Sequence, residues 1–113
     1  MKARNLTRNS ELASRLEVAD TIFARMKGLL GKSGLAEGEG MLIRPCKGIH
    51  TFGMKFPIDA AFLDGNNRVI AATRGISPNT ITRIYFSAAS VIELPAGTLD
   101  KTATLPGDQL DIF

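Results

Sequence analysis

The sequence predicts the α+β class: a small, mostly antiparallel curled sheet or barrel-like β domain with about two short helices. Three observations lead there. Apolar residues come in short alternating runs, as in Arg68–Thr73 and Ser90–Leu94. Turn-forming clusters punctuate those runs, among them Asp64-Gly65-Asn66-Asn67 and Leu105-Pro106-Gly107-Asp108. The strands also lie too close together for a helix between each pair, which argues against a doubly wound sheet.

The elements follow in order. Residues 11–20 alternate loosely, and Leu16–Ala19 reads as a strand. Asp20 or Thr21 then caps a helix. Along it Ile22, Phe23, Met26, Leu29 and Leu30 recur at helical spacing, so they are expected to face inward, with Gly31 as the C-cap. Gly31 to Gly40 is a polar, Gly-rich loop, and Gly38-Glu39-Gly40 lacks the Lys-Ser/Thr ending of a phosphate loop. Met41-Leu42-Ile43 is a short buried strand stopped by Pro45. In Ile58–Leu63 one face carries Ile58, Ala60 and Phe62, and the other Ala61 and Leu63. A strand apolar on both faces is covered on both. Asp64–Asn67 turns it into the return strand Arg68–Thr73. Residues 74–80 form a loop, and Ile81–Phe86 is a strand or an extended segment. Ser90–Leu94 is a strand stopped by Pro95, Ala96-Gly97-Thr98 opens a short helix or turn that carries Leu99 inward, and Gln109–Phe113 closes the chain as a strand.

A chain of 113 residues is expected to form one domain, residues 1–113. Its 44% apolar and 22% charged residues are ordinary for a globule and unlike a disordered chain. No apolar run approaches the roughly 20 residues that a membrane-spanning helix needs. Met1–Asn9 is charged without an apolar segment behind it, so it does not read as a secretory signal. The lone Cys46 excludes an internal disulfide and fits a reducing compartment. Cytoplasm is the expected location, with a processed exported form as the alternative. The formal charge of +3 is a basic front and an acidic back, because only Lys101 of the fourteen Lys and Arg follows Arg83. Without a Lys/Arg block or interleaved aromatics, nucleic acid is not the expected partner.

Chemistry-bearing residues gather in Pro45–Asp64, which holds the only Cys and the only His. His50 is the one side chain that titrates near neutral pH without help, and its structural alternative is a loop-pinning role. Thr51 or Asp59 could hold its tautomer. Cys46 lies four residues before His50, about 13 Å away if the segment is extended, so a nucleophilic pair would need a tight loop. A small buried thiol is the simpler expectation. Cys46, His50 and Met54 form an evenly spaced soft set that would suit Cu(I), although Met54 also reads as core beside Phe52 and Phe56. Asp59 and Glu93 are carboxylates inside apolar strands, where each needs a partner or a polar pocket. If their strands are neighbours the two could form an acid/base pair.

The run Cys46-x3-His50-Thr51-Phe52-Gly53-Met54-x-Phe56-Pro57-Ile58-Asp59-x2-Phe62-Leu63-Asp64 resembles the signature of a widespread prokaryotic family of domains of unknown function. Thr21–Gly31 with its Gly-Leu-Leu-Gly, Ile92–Thr98 and Pro106-Gly107-Asp108 fit the same pattern, so the resemblance spans nearly the whole chain. It implies a compact α+β, barrel-like domain. Members of that family often carry export signals, and Met1–Asn9 does not read as one. No reaction, substrate or cofactor is implied.

Three functions are therefore open. The favoured one is a binding or accessory domain for a small molecule or a protein, its polar site formed by Cys46, His50, Thr51, Met54, Asp59 and Glu93. The second is a small hydrolase-like enzyme with His50 as base and Asp59 or Glu93 orienting it. The third is a Cu(I)-type domain through Cys46, His50 and Met54.

Overall fold

The computed structural model describes residues 1–113. Eight strands and two short helices follow in the order β1 (Ala3–Asn5), β2 (Ser10–Ala13), β3 (Arg15–Ala19), α1 (Ile22–Lys27), β4 (Glu39–Ile43), β5 (Ile58–Leu63), β6 (Val69–Ile76), β7 (Ser90–Pro95), α2 (Thr98–Lys101) and β8 (Leu110–Ile112). They form two sheets, ordered β2-β1-β8 and β3-β4-β7-β5-β6, rather than a closed barrel. All pairings are antiparallel except β3 with β4. A parallel pair needs a crossover, and residues 20–38 with α1 supply it.

Strand β5 is an interior strand of the larger sheet, between β7 and β6. All six of its residues are buried, as expected of a strand apolar on both faces. Ala61 and Leu63 join Leu42, Ile92 and Leu94 in a core between the two sheets, which also holds Ala3, Leu12 and Leu110. Ile58, Ala60 and Phe62 face the other way, with Met41, Ile43 and Val91. That outer face is covered by Leu29, Met54 and Ala88, with half-buried Ala24, Cys46, Ile49 and Tyr85. The covering layer is thus α1 with the residues after it, the loop after β4 and the segment before β7.

Two expectations about the helix need correction. Thr21 is the N-cap and its side chain accepts from the Ala24 N–H, but the helix ends at Gly28 rather than at Gly31. Gly28 takes φ +48°, a conformation that L side chains rarely adopt, and this stops the helix after six residues. The predicted inward face is consequently split. Leu29, past the helix end, is buried, whereas Ile22, Phe23 and Met26 are 65–84% exposed. Small Ala24 takes the inward position and lets α1 lie close to the sheet.

Ile81–Phe86 makes one bridge, His50 with Ile81, and is otherwise extended loop. The strands β1 and β2 add a sheet where only loosely patterned residues stood. A polar knot ties that sheet together. Asp108 accepts from Asn5 Nδ2, Arg8 Nε and the Leu105 N–H, all at 3.0 Å. Burial works to raise its pKa, yet these bonds and the Arg8 charge hold the carboxyl below its ordinary value. No helix is long and apolar enough to cross a membrane.

Candidate functional site

A cavity of about 280 Å³ opens between the end of α1 and the loop that follows β4. Its wall includes Arg25, Gly28, Cys46, His50, Met54 and Glu93. The loop begins at the cis peptide bond Arg44–Pro45 and is held by backbone bonds from Tyr85 N–H to Lys47 O, Thr82 N–H to Ile49 O and Thr51 N–H to Thr80 O. Gly48 suits this close crossing, because an added Cβ would stand 2.9 Å from Ile84 Cδ1 and 3.1 Å from Arg83 O and would need both to shift.

Glu93 is the unusual group. It lies opposite Ala60 in the sheet, so its side chain shares the outer face with Phe62 and Val91. It is 3% exposed and lines the cavity. No protein hydrogen bond or ion pair reaches its carboxyl, and burial alone pushes its pKa to about 7. The carboxyl is adjacent to the end of α1, with Oε1 3.9 Å from where a Cβ on Gly28 would stand. Arg25 is the second unspent group. Its guanidinium donates to Pro45 O at 3.3 Å, but Nε is buried without an acceptor.

Cys46 stands between these two in electrostatic terms. Burial raises the thiol above its ordinary pKa and the Glu93 charge adds to that, while the Gly48 backbone and Arg25 work in the opposite sense. The thiol donates to Gly48 O at 3.1 Å. A protonated, bonded thiol is a poor nucleophile. His50 is exposed at the cavity edge, stacked on Phe52 at 5.2 Å, and its Nδ1 accepts from the Phe52 N–H at 3.3 Å. Met54 is 9% exposed and belongs to the outer core as well as to the wall.

Asp59 and Thr51 lie elsewhere. Asp59 pairs with Leu94, one position from Glu93, and so points to the opposite face of the sheet. It is fully buried and accepts from the N–H groups of Gly75, Gly97 and Leu99 at 2.9–3.0 Å. That carboxylate fastens α2 and the end of β6. The structure therefore does not bring Asp59 to His50 or to Glu93, although their strands are neighbours. Thr51 is also fully buried, donating to Ser77 O at 2.7 Å and accepting from the Thr80 N–H at 2.9 Å. It pins the loop that carries His50. Cys46, His50, Met54 and Glu93 are the expected site residues that converge. Arg25 and Gly28 join them without having been singled out, because only the early end of α1 turns them to the cavity. No cluster of three or more His, Cys, Asp or Glu side chains is assembled, so the borderline-soft set that zinc prefers is not built. A second hollow of about 380 Å³ lies by Leu16 and Gly40, but Glu17 and Lys32 at its edge pair with each other at 3.9 Å.

Two sheets, with a polar-floored cavity under one short helix, define a small, mostly antiparallel α+β domain. The chain belongs to the DUF192 family, described as "Uncharacterized ACR, COG1430", which matches residues 4–112. It is 29% identical over 114 residues to a UPF0127 protein of Thermococcus sibiricus, an alignment covering 95% of this chain and 71% of that one. A crystal structure of a Novosphingobium aromaticivorans protein of unknown function has the same fold, with TM-score 0.84, 21% identity and coverage of 98% of this chain and 82% of that one. A Sinorhizobium meliloti protein described as a candidate transcription regulator superposes with TM-score 0.75 and 24% identity, over 85% and 79% of the two chains. At these identities the two structures establish the fold alone.

Proposed function

We propose that this chain is a small binding or accessory domain whose ligand enters the cavity between α1 and the loop after β4. One observation carries the proposal: Glu93, 3% exposed and unbonded, faces that cavity. A buried carboxyl without a partner costs stability, and such groups are retained where a site uses them. Near neutral pH it can donate as the acid or accept as the carboxylate. Arg25 lines the same cavity and brings a cation to its wall. The fitting ligand is a small polar molecule, or a side chain of a protein partner, that offers an acceptor to Arg25 and completes Glu93. His50 at the edge and the apolar wall of Met54 and Ile43 would orient it.

The test is a thermal-shift screen of small amides, amines and carboxylates against wild type, Glu93→Gln and His50→Ala. A compound that raises the melting temperature of wild type and leaves Glu93→Gln unmoved is the expected result. A panel with no stabilising member, or one that stabilises Glu93→Gln equally, overturns the proposal.

A second proposal rests on the shared wall of Cys46, His50 and Met54, a soft set suited to Cu(I). Anaerobic Cu(I) titration of wild type and Cys46→Ser separates it from the first, and equal affinities would remove it. Of the hydrolase alternatives, the one using His50 with Glu93 keeps both groups on one cavity, whereas Asp59 is committed to backbone bonds.

A further inference from the structure

The outer layer over the larger sheet has an unusual surface. Of eleven large apolar side chains exposed on the whole protein, seven come from its three segments. From α1 come Ile22, Phe23 and Met26; from the segment before β7 come Ile81, Ile84 and Phe86; the loop after β4 adds Phe52. Phe23 and Phe86 are 84% and 83% exposed. All three segments pack by their inward residues on the same face of the sheet, so their outward side chains share one side of the molecule.

Charge on these segments has one sign. Residues 21–31, 45–57 and 77–89 contain no Asp or Glu. They expose Lys27, Lys47, Lys55 and Arg83, none of which is ion-paired. Lys47 Nζ donates to Phe86 O and Ala88 O at 2.9 and 2.8 Å, and Arg83 lies over the Tyr85 ring at 5.3 Å. Large exposed apolar patches mark contact surfaces. Apolar side chains interleaved with Lys and Arg are the chemistry that inserts into an anionic lipid interface. A second copy meeting this face with its own like face would bring the same cations and be repelled. Protein interfaces are depleted in Lys, yet three of these four exposed cations are Lys.

We infer that this face docks peripherally on an anionic lipid surface, with Phe23 and Phe86 entering the interface and the cations meeting headgroup phosphates. The two side chains that enter the interface, Phe23 and Phe86, lie outside the cavity wall, whereas Met26, Lys27 and Lys47 belong to both the face and the cavity rim.

Co-sedimentation with vesicles tests it, using phosphatidylcholine containing phosphatidylglycerol against phosphatidylcholine alone. Wild type is expected to partition onto the anionic vesicles and to be released by high salt. The double variant Phe23→Ser/Phe86→Ser is expected to bind at least about tenfold more weakly with an unchanged melt, because both side chains are exposed. Glu93→Gln should partition like wild type, so the outcome is independent of the cavity. No partition, equal partition onto neutral vesicles, or full binding by the double variant overturns the inference. A protein that ignores vesicles but binds a glutamate–phenylalanine copolymer also overturns it, assigning the face to a protein partner.

Discussion

Replacing Glu93 with Gln removes an ionisable carboxyl and keeps its shape. In the folded protein Glu93 titrates at about 7, against an ordinary 4.5. Between those values the folded state holds a proton that the unfolded chain has released. Stability therefore falls as pH rises through this window, and the loss is complete above about 7. At about 1.4 kcal/mol for each pH unit, the rise from 4.5 to about 7 amounts to about 3 kcal/mol. That is a large part of the roughly 6–17 kcal/mol expected for a domain of this length. The Gln variant does not pass through this titration. Its stability relative to wild type should improve by about 3 kcal/mol between about pH 4 and about pH 8, or about 10 °C in melting temperature. Urea unfolding of both proteins across that range measures the difference directly. Any constant cost of the Gln amide, and every titration the two proteins share, cancels from the pH dependence. A stability difference that does not change with pH would refute the reasoning, because it would mean that the Glu93 carboxyl is solvated or partnered when folded.

Three further outcomes follow from the same bonds. Asp59→Ala leaves the N–H groups of Gly75, Gly97 and Leu99 without their acceptor, and should cost about 3–5 kcal/mol in urea unfolding, with Asp59→Asn losing less. Cys46 should react with a thiol reagent at neutral pH more slowly than free cysteine, since burial raises its pKa and keeps it protonated; an absorbance time course measures this, and a reaction as fast as that of free cysteine would contradict the assignment. Asp108 is held below its ordinary pKa, so its contribution is present above about pH 4 and lost as pH falls through the lower folded value. Hydrogen exchange in acid should therefore show β1 and β8 opening in wild type, while Asp108→Asn should already be weakened at neutral pH.

The sequence was most informative where one local pattern decides the structure. Two-sided apolar content marked Ile58–Leu63 as a strand covered on both faces, and Asp64–Asn67 made the turn after it. The stretch from Cys46 to Asp64 stood out because rare residues collect there. What it concealed depends on register and on where a helix stops. Asp59 and Glu93 look alike as acids in apolar strands, but a one-position offset sends them to opposite faces. One is satisfied by three N–H groups, and the other is left facing a cavity. Helical spacing could not show that Gly28 ends α1 before Leu29 and Leu30, which leaves Phe23 and Met26 outside. The short strands β1 and β2 were illegible because Ala3–Asn5 carries no alternation. It gains its pairing from β8, more than a hundred residues later in the chain.

The central claim is that the cavity beside Glu93 is where this protein binds. Amide chemical-shift mapping during a fragment screen tests it most directly. Bound fragments should move the signals of Gly28, Cys46, Gly48 and Glu93 together, and Glu93→Gln should abolish the response. Fragments that bind only elsewhere, or that move these amides equally in Glu93→Gln, would contradict it.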